Sequence, residues 1–179
     1  MTEQVQRPRV VVGVDDSPTA RQAVAFAVRE AALRGATLDA VMAIELPDYA
    51  WIDPYHVRDH SEVDYLRKTE DTLRSILAEV GTAAIDVQPV VMVMPAATAL
   101  IQRSADAELL VVGSRGRGGF HGMLMGSVSL QCVLHAHCPV TVVRPEPHQH
   151  EAADKAATVA THPQHRLEDT RAQTTATFL

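Results

Sequence analysis

Lysine is almost missing from this chain: among 179 residues it occurs only as Lys68 and Lys155. Affinity for a phosphate backbone rests on clustered cations, so this scarcity and a formal net charge of -6 argue against a general nucleic-acid binder. Cysteine is equally sparse, and Cys132 and Cys138 alone make no disulfide framework. No apolar run is long enough to cross a bilayer, and the opening MTEQVQRPR lacks the apolar segment of a signal peptide. The expectation is a cytoplasmic chain with no membrane attachment. Glycine is scarce too, yet six of the nine glycines fall within residues 113–129, GSRGRGGFHGMLMGSVS. Glycine weakens helices and strands, so such crowding predicts a backbone that takes left-handed turns or lets something approach closely.

What is present has the balance of an ordinary globule, 46% hydrophobic and 21% charged. RVVVGV at 9–14 is a β-branched run that ends in Asp15-Asp16-Ser17-Pro18, the signature of a buried strand entering a helix with Ser17 as N-cap and Pro18 as its first residue. Ala20, Ala23, Val24, Ala27, Val28, Ala31 and Ala32 then recur at helical steps up to Gly35. A second strand is expected at 37–46, a loop in PDYAWIDPYH with Tyr49, Trp51 and Tyr55, and a charged helix over 61–80. AIDVQPVVMV at 84–93 reads as a third strand whose Pro89 points to an edge. A short helix over 97–107, a strand at 108–112, a helix from Ser127 and a fifth strand at 139–143 complete the pattern. Apolar strands alternating with helices predict an α/β fold, a parallel sheet covered on both faces. Residues 1–146 form the expected domain, and 147–179, polar and without a sustained apolar face, the expected disordered tail.

In open parallel sheets ligands sit beyond the carboxyl ends of the strands, where the winding direction switches. Both unusual loops, VDDS after strand one and GSRGRGG after strand four, lie at such ends. Glycine-rich turns offer converging N–H groups, and the helix opening at Gly126-Ser127 adds a favourable dipole, so phosphate is the natural guest there. Asp15 and Asp16 would repel phosphate, but a carboxylate accepts hydrogen bonds from ribose hydroxyls or a base amine. This puts the nucleoside at the first loop and the phosphates at the fourth. The pattern G-x-x-x-x-G-K-[ST] is absent and neither lysine lies near a glycine-rich turn, which argues against a motor-type ATPase or kinase. G-x-G-x-x-G does not follow the first strand, which argues against NAD.

Gly113-x2-Gly116-x9-Gly126-Ser127, followed by Val128-Ser129, with the early VVVGVDDS and the closing CPVTVV, resembles the ATP-binding branch of the universal stress protein family. The resemblance covers about residues 8–145. It implies an open five-stranded parallel sheet in the order 3-2-1-4-5, a Rossmann-like adenine-nucleotide fold, with ATP, with or without Mg2+, as ligand. By position it assigns Asp15 to the nucleoside, lined by Gly13 and Val14, and Ala43 to the side of the adenine. Val112, Gly113, Arg115 and Gly116 would form the turn under ribose and phosphates, closed by Gly126, Ser127, Val128 and Ser129. Two positions depart from the family pattern: Asp16 and Met94 stand where glycine is often found. Asp16 puts extra negative charge near the expected cleft. The family also implies a role in stress survival or growth control and a homodimer through strand 139–143, whose alternating outer residues carry no charge.

Rival readings stay open at this level. Gly118, Gly119 and Gly122 suit a plain surface loop, Asp15 suits a helix-flanking acid, and Arg115 and Arg117 suit solvated loop charges. Cys132, His135, His137 and Cys138 form a zinc set on paper, but helical spacing sends the last two into the following turn, which favours a core cysteine and exposed histidines. His148, His150, His162 and His165 have nothing to fix their geometry. No hydrolase constellation emerges, and His121 is the one candidate acid or base beside the phosphate loop. A nucleotide-binding regulator therefore stands beside two alternatives: a slow ATPase or ATP-pyrophosphatase-like enzyme, and a structural dimer with an empty cleft.

Overall fold

Five short apolar runs pair side by side in parallel: β1 (Arg9–Gly13), β2 (Thr37–Ile44), β3 (Val87–Val93), β4 (Leu109–Gly113) and β5 (Val140–Val143), in the order β3-β2-β1-β4-β5. The computed structural model describes residues 7–45, 61–82, 84–116 and 125–145. The loop with Tyr49, Trp51 and Tyr55, the residues Arg117, Gly118, Gly119, His121 and Gly122, and the tail 147–179 with its histidines lie outside them. Among the described residues four α-helices link the strands: α1 (Pro18–Arg34), α2 (Ser61–Val80), α3 (Ala96–Arg103) and α4 (Ser127–His135).

Alternation along each strand feeds two cores. Val10 and Val12 of β1, Leu38, Ala40 and Met42 of β2, and Leu109 and Val111 of β4 face α1 and α2, whose Ala23, Val24, Ala27, Leu73 and Ile76 are buried against them. Val11, Val41, Leu110 and Val112 face the other way, onto Ala99 and Leu100 of α3 and Cys132 of α4. The small residues along α1 let that helix sit close to the sheet, and each fully buried Leu or Ile contributes roughly 1.5–3 kcal/mol. The helices change face between α2 and α3, so the winding reverses between β1 and β4.

Local chemistry sets the element ends. Ser17, extended at φ -94 and ψ 153, accepts the Ala20 amide at 3.1 Å as N-cap, and Pro18 follows as first helical residue. Gly35, at φ 61, stops α1 by donating its N–H to Ala31 and Ala32. Such an αL cap favours glycine because a Cβ would crowd the following carbonyl. α3 is shorter than its apolar spacing predicts, since Ser104–Asp106 tighten into a 3-10 turn. β3 begins at Val87 instead of 84, because the backbone turns just before it, Ile85 donating its N–H to Thr82 O at 3.2 Å. β2 stops at Ile44, two residues short of the expected end.

The two outer strands differ. Leu38 N donates to Asp86 O, and the parallel register sets Ala40 opposite Pro89, so the nitrogen of Pro89 faces away from β2. On β5, Leu110 N donates to Pro139 O and Ser114 N to Val143 O. The same alternation turns the backbone N–H of Val140 and Val142 outward, while their side chains pack on the α3 and α4 side. At the amino ends of the strands buried Asp39 meets Arg103 at 3.4 Å and Arg9 at 3.7 Å. This ion pairing lies far from the carboxyl ends.

Candidate functional site

Where β1 and β4 diverge at their carboxyl ends, a cavity of about 500 Å³ opens between the loop after β1, the turn after β4 and the start of α4. Gly13, Val14, Asp15, Ala43, Val112, Gly113, Arg115, Gly116, Gly126, Ser127, Val128 and Ser129 all line it. The family resemblance assigned each of them by position; they come from four segments of the chain, 13–15, 43, 112–116 and 126–129, and converge through the sheet order. Five further lining residues escaped it: Ala20, Val41, Ala96, Leu100 and Met125. Ala20 lies in the first turn of α1, just after the β1 loop, whereas Ala96 and Leu100 belong to α3, which follows β3, a strand that contributes no described lining residue, so no local signal pointed to them.

Asp15 is held from its own loop. The Ser17 amide and hydroxyl both donate to its Oδ1, at 3.1 and 2.5 Å. Val14 is pinned by its N–H to Val41 O at 2.8 Å. Across the cleft, Gly116 lies so near that a Cβ there would stand 2.5 Å from Asp15 Oδ2. A Cβ on Gly113 would stand 3.0 Å from Thr19 Cγ2 and 3.3 Å from the Arg115 carbonyl. Among the described residues positive φ occurs only at Gly35 and Gly81. Gly113, Gly116 and Gly126 therefore do not serve left-handed turns. Gly113 and Gly116 allow close approach, of α1 in one case and of a carboxylate in the other.

The start of α4 faces the cavity without a side-chain cap. Gly126, at φ -73 and ψ 158, donates its N–H to Ser114 O at 2.8 Å and, as N-cap, has no side chain to accept any of the amides of the first turn. These amides and the helix dipole favour an anion. The two serines there differ: Ser127 is exposed, whereas buried Ser129 donates its hydroxyl proton to Gly113 O at 2.6 Å and ties α4 to β4. Ser129 thus shapes the turn in this conformation, and Ser127 offers its hydroxyl at the wall.

Among the described residues the charged groups lining the cavity are Asp15 and Arg115. Asp16 is not one of them. Its carboxylate accepts from Arg21 at 3.1 Å, and Arg21 also binds Glu79 at 3.0 Å. Hydrogen bonds to Glu79 and then Asp16 raise the Arg21 pKa, so the extra charge expected near the cleft is partnered outside it. Met94 packs half-buried on the α3 and α4 side. Of the paper zinc set, Cys132 is buried, its thiol pushed up to about 11 by desolvation, and His135 and His137 are exposed. Among the described residues no three metal-ligating side chains gather.

A family model described as the universal stress protein family matches residues 6–144. A universal stress protein of Mycobacterium tuberculosis is 34% identical over 151 residues, covering 80% of this chain and 51% of its own length. One from Mycolicibacterium smegmatis is 38% identical over 143 residues, covering 76% and 45%. The chain thus spans about half the length of these curated relatives. Among solved structures, a universal stress protein in complex with cAMP is 28% identical with a TM-score of 0.51, covering 77% of this chain and 97% of that one. Another, from Archaeoglobus fulgidus in complex with dAMP, shares the fold at 23% identity and a TM-score of 0.53, covering 78% and 98%.

Proposed function

The chain belongs to the universal stress protein family, and we propose that it is an ATP-binding member, a nucleotide sensor or regulator in stress response or growth control. The observation that carries the reading is that the twelve residues assigned by the family resemblance, among them those of the loops after β1 and β4 reached independently from glycine crowding and strand ends, line one cavity at the β1–β4 switch. Apolar walls from Val14, Val41, Ala43 and Val112 suit a base, the Asp15 carboxylate suits a hydroxyl or amine, and the uncapped start of α4 suits phosphate. The cAMP and dAMP held by two solved relatives support an adenine nucleotide. The reading assigns binding, with at most slow hydrolysis, because the sequence carries no G-x-x-x-x-G-K-[ST] lysine for rapid phosphoryl transfer. Occupancy would then favour one conformation of the loops or one partner over another.

Equilibrium titration with ATP, ADP, AMP and cyclic AMP, with and without Mg2+, tests this reading. Saturable ATP binding with a raised Tm is expected. No binding, and no nucleotide released when the purified protein is heat-denatured, overturns it. The reading locates function in 1–146 within the cytoplasm and pairs two copies through the strand at 139–143. The outward N–H groups of β5 support that pairing, as do exposed Leu130, Val133 and Leu134 on α4. A chain lacking 147–179 should bind ATP like the full chain, and a truncated protein that folds without binding would contradict this.

A further inference from the structure

Two hydrogen bonds staple the start of α4 to the end of β4. Gly126 donates its N–H to Ser114 O at 2.8 Å, and Ser129, three residues on, donates its hydroxyl proton to Gly113 O at 2.6 Å. Ser129 is only 4% exposed, and Gly113 packs so closely on its other side that a Cβ there would stand 3.0 Å from Thr19 Cγ2 of α1. The seam borders the cavity, with Gly113 and Gly116 lining it on one side and Gly126 and Ser127 on the other. A serine hydroxyl has one proton to give. Ser129 gives its proton to the backbone, so in this arrangement it has none for a phosphate oxygen, which is itself an acceptor.

We propose that Ser129 is a positioning residue for phosphate recognition: by spending its proton on the Gly113 carbonyl it holds the turn after β4 against the first turn of α4, so that both bound one volume. The proposal rests on the nucleotide reading of the cavity. It gives the two serines of SVS separate tasks, Ser127 exposed at the wall where the ligand arrives and Ser129 behind it, acting through Gly113. A turn that is not held has to be ordered as the anion binds, at a cost to affinity. A turn already fixed by its supporting contacts avoids that cost. Alanine at 129 removes the donor and suits a helix, whereas threonine keeps the donor. The two substitutions therefore separate the hydroxyl from the rest of the side chain.

The wild type, Ser129→Ala and Ser129→Thr are titrated with ATP and with tripolyphosphate well below Tm, and hydrogen exchange of the Gly126 amide is followed by NMR without ligand. In Ser129→Ala that amide should exchange faster relative to the amide of Val111, which is fully buried in β4. The Kd for both anions should rise about three- to tenfold, the worth of one hydrogen bond. Ser129→Thr should match the wild type in every reading. A staple that serves stability alone would lower Tm and leave each Kd unchanged, and that result overturns the proposal. So does a raised Kd with unchanged Gly126 exchange, because Ser129 would then be touching the anion itself, and so does a folded threonine variant that behaves like alanine. A wild type that holds tripolyphosphate but no adenine nucleotide sinks the ATP reading alone, with the positioning still read on the anion. One that binds neither overturns both.

Discussion

Gly126→Ala separates ligand approach from folding. At Gly113 a Cβ would meet buried Thr19 at 3.0 Å, and at Gly116 it would displace the Asp15 carboxylate from 2.5 Å. Loss of binding in either variant would mix with strain in the fold. At Gly126 the nearest atoms would be 3.6, 3.6 and 3.8 Å away, ordinary contact, and φ -73 with ψ 158 suits any L residue. Alanine is a poorer N-cap than glycine by roughly 0.5–1 kcal/mol, and the stiffer unfolded chain returns about 0.4–1 kcal/mol. The two terms nearly cancel, so Tm should move by less than about 4 °C. Binding should respond far more. A phosphate oxygen accepting from the first amides of α4 sits about 2.9 Å from nitrogen, while a methyl carbon on the same wall holds neighbours at about 3.5 Å or beyond. Losing one charge-assisted hydrogen bond weakens affinity by about 1.5–3 kcal/mol, tenfold or more. Calorimetric titration of the folded variant with ATP checks it. A wild-type Kd would refute the placement of phosphate at this helix start.

Asp15→Ala should lose about 1.5–3 kcal/mol of ATP binding, the range for hydrogen bonds to a charged group; if Asp15→Asn binds as well as the wild type, its charge is not what the ligand reads. Lysine at Val140 or Val142 would disturb the core both side chains pack on, so Val142→Pro is the better probe of assembly. It removes an outward N–H and no ladder bond, and sedimentation equilibrium should show a mass falling from twice 19.4 kDa to 19.4 kDa. A dimer unmoved by proline would place the contact elsewhere. Cys132 contributes to pH dependence because its folded pKa, about 11, lies above the ordinary 9.0. Its stabilisation is full below the unfolded value and fades as pH rises from 9.0 toward about 11, where the unfolded chain releases the proton first. Cys132→Ala should flatten that part of a denaturation-against-pH curve, and an unaltered slope would contradict the burial argument.

Much of this was legible in the sequence because strands and breaks alternate cleanly. The runs at 9–14 and 108–112 are too apolar for an exposed sheet, and Pro89 marks an edge by the chemistry of its missing donor. The site was legible because parallel strands concentrate their loops at one end. What stayed hidden depends on register and rotamers. The spacing of serines in SVS does not say that Ser129 gives its proton to Gly113 while Ser127 stays exposed at the cavity wall. The pair Asp15-Asp16 does not say that the second acid turns to Arg21. Crowded glycines suggest either unusual φ or close contact, and only the packed neighbours Thr19 and Asp15 decide in favour of contact at 113 and 116.

The unlike outer strands decide how such a sheet can grow. A molecule with two receptive borders is a link, and copies joined head to tail by a non-closing rotation make filaments. Here Pro89 takes an amide out of the outer row of β3, whereas the outward N–H groups of Val140 and Val142 remain on β5. A β5-to-β3 join would leave one donor short, while β5-to-β5 satisfies both rows and uses up the receptive border of each copy. If copies pair through β5 as proposed, one proline would act as a chain terminator, steering the sheet toward a closed pair and away from open-ended polymerisation.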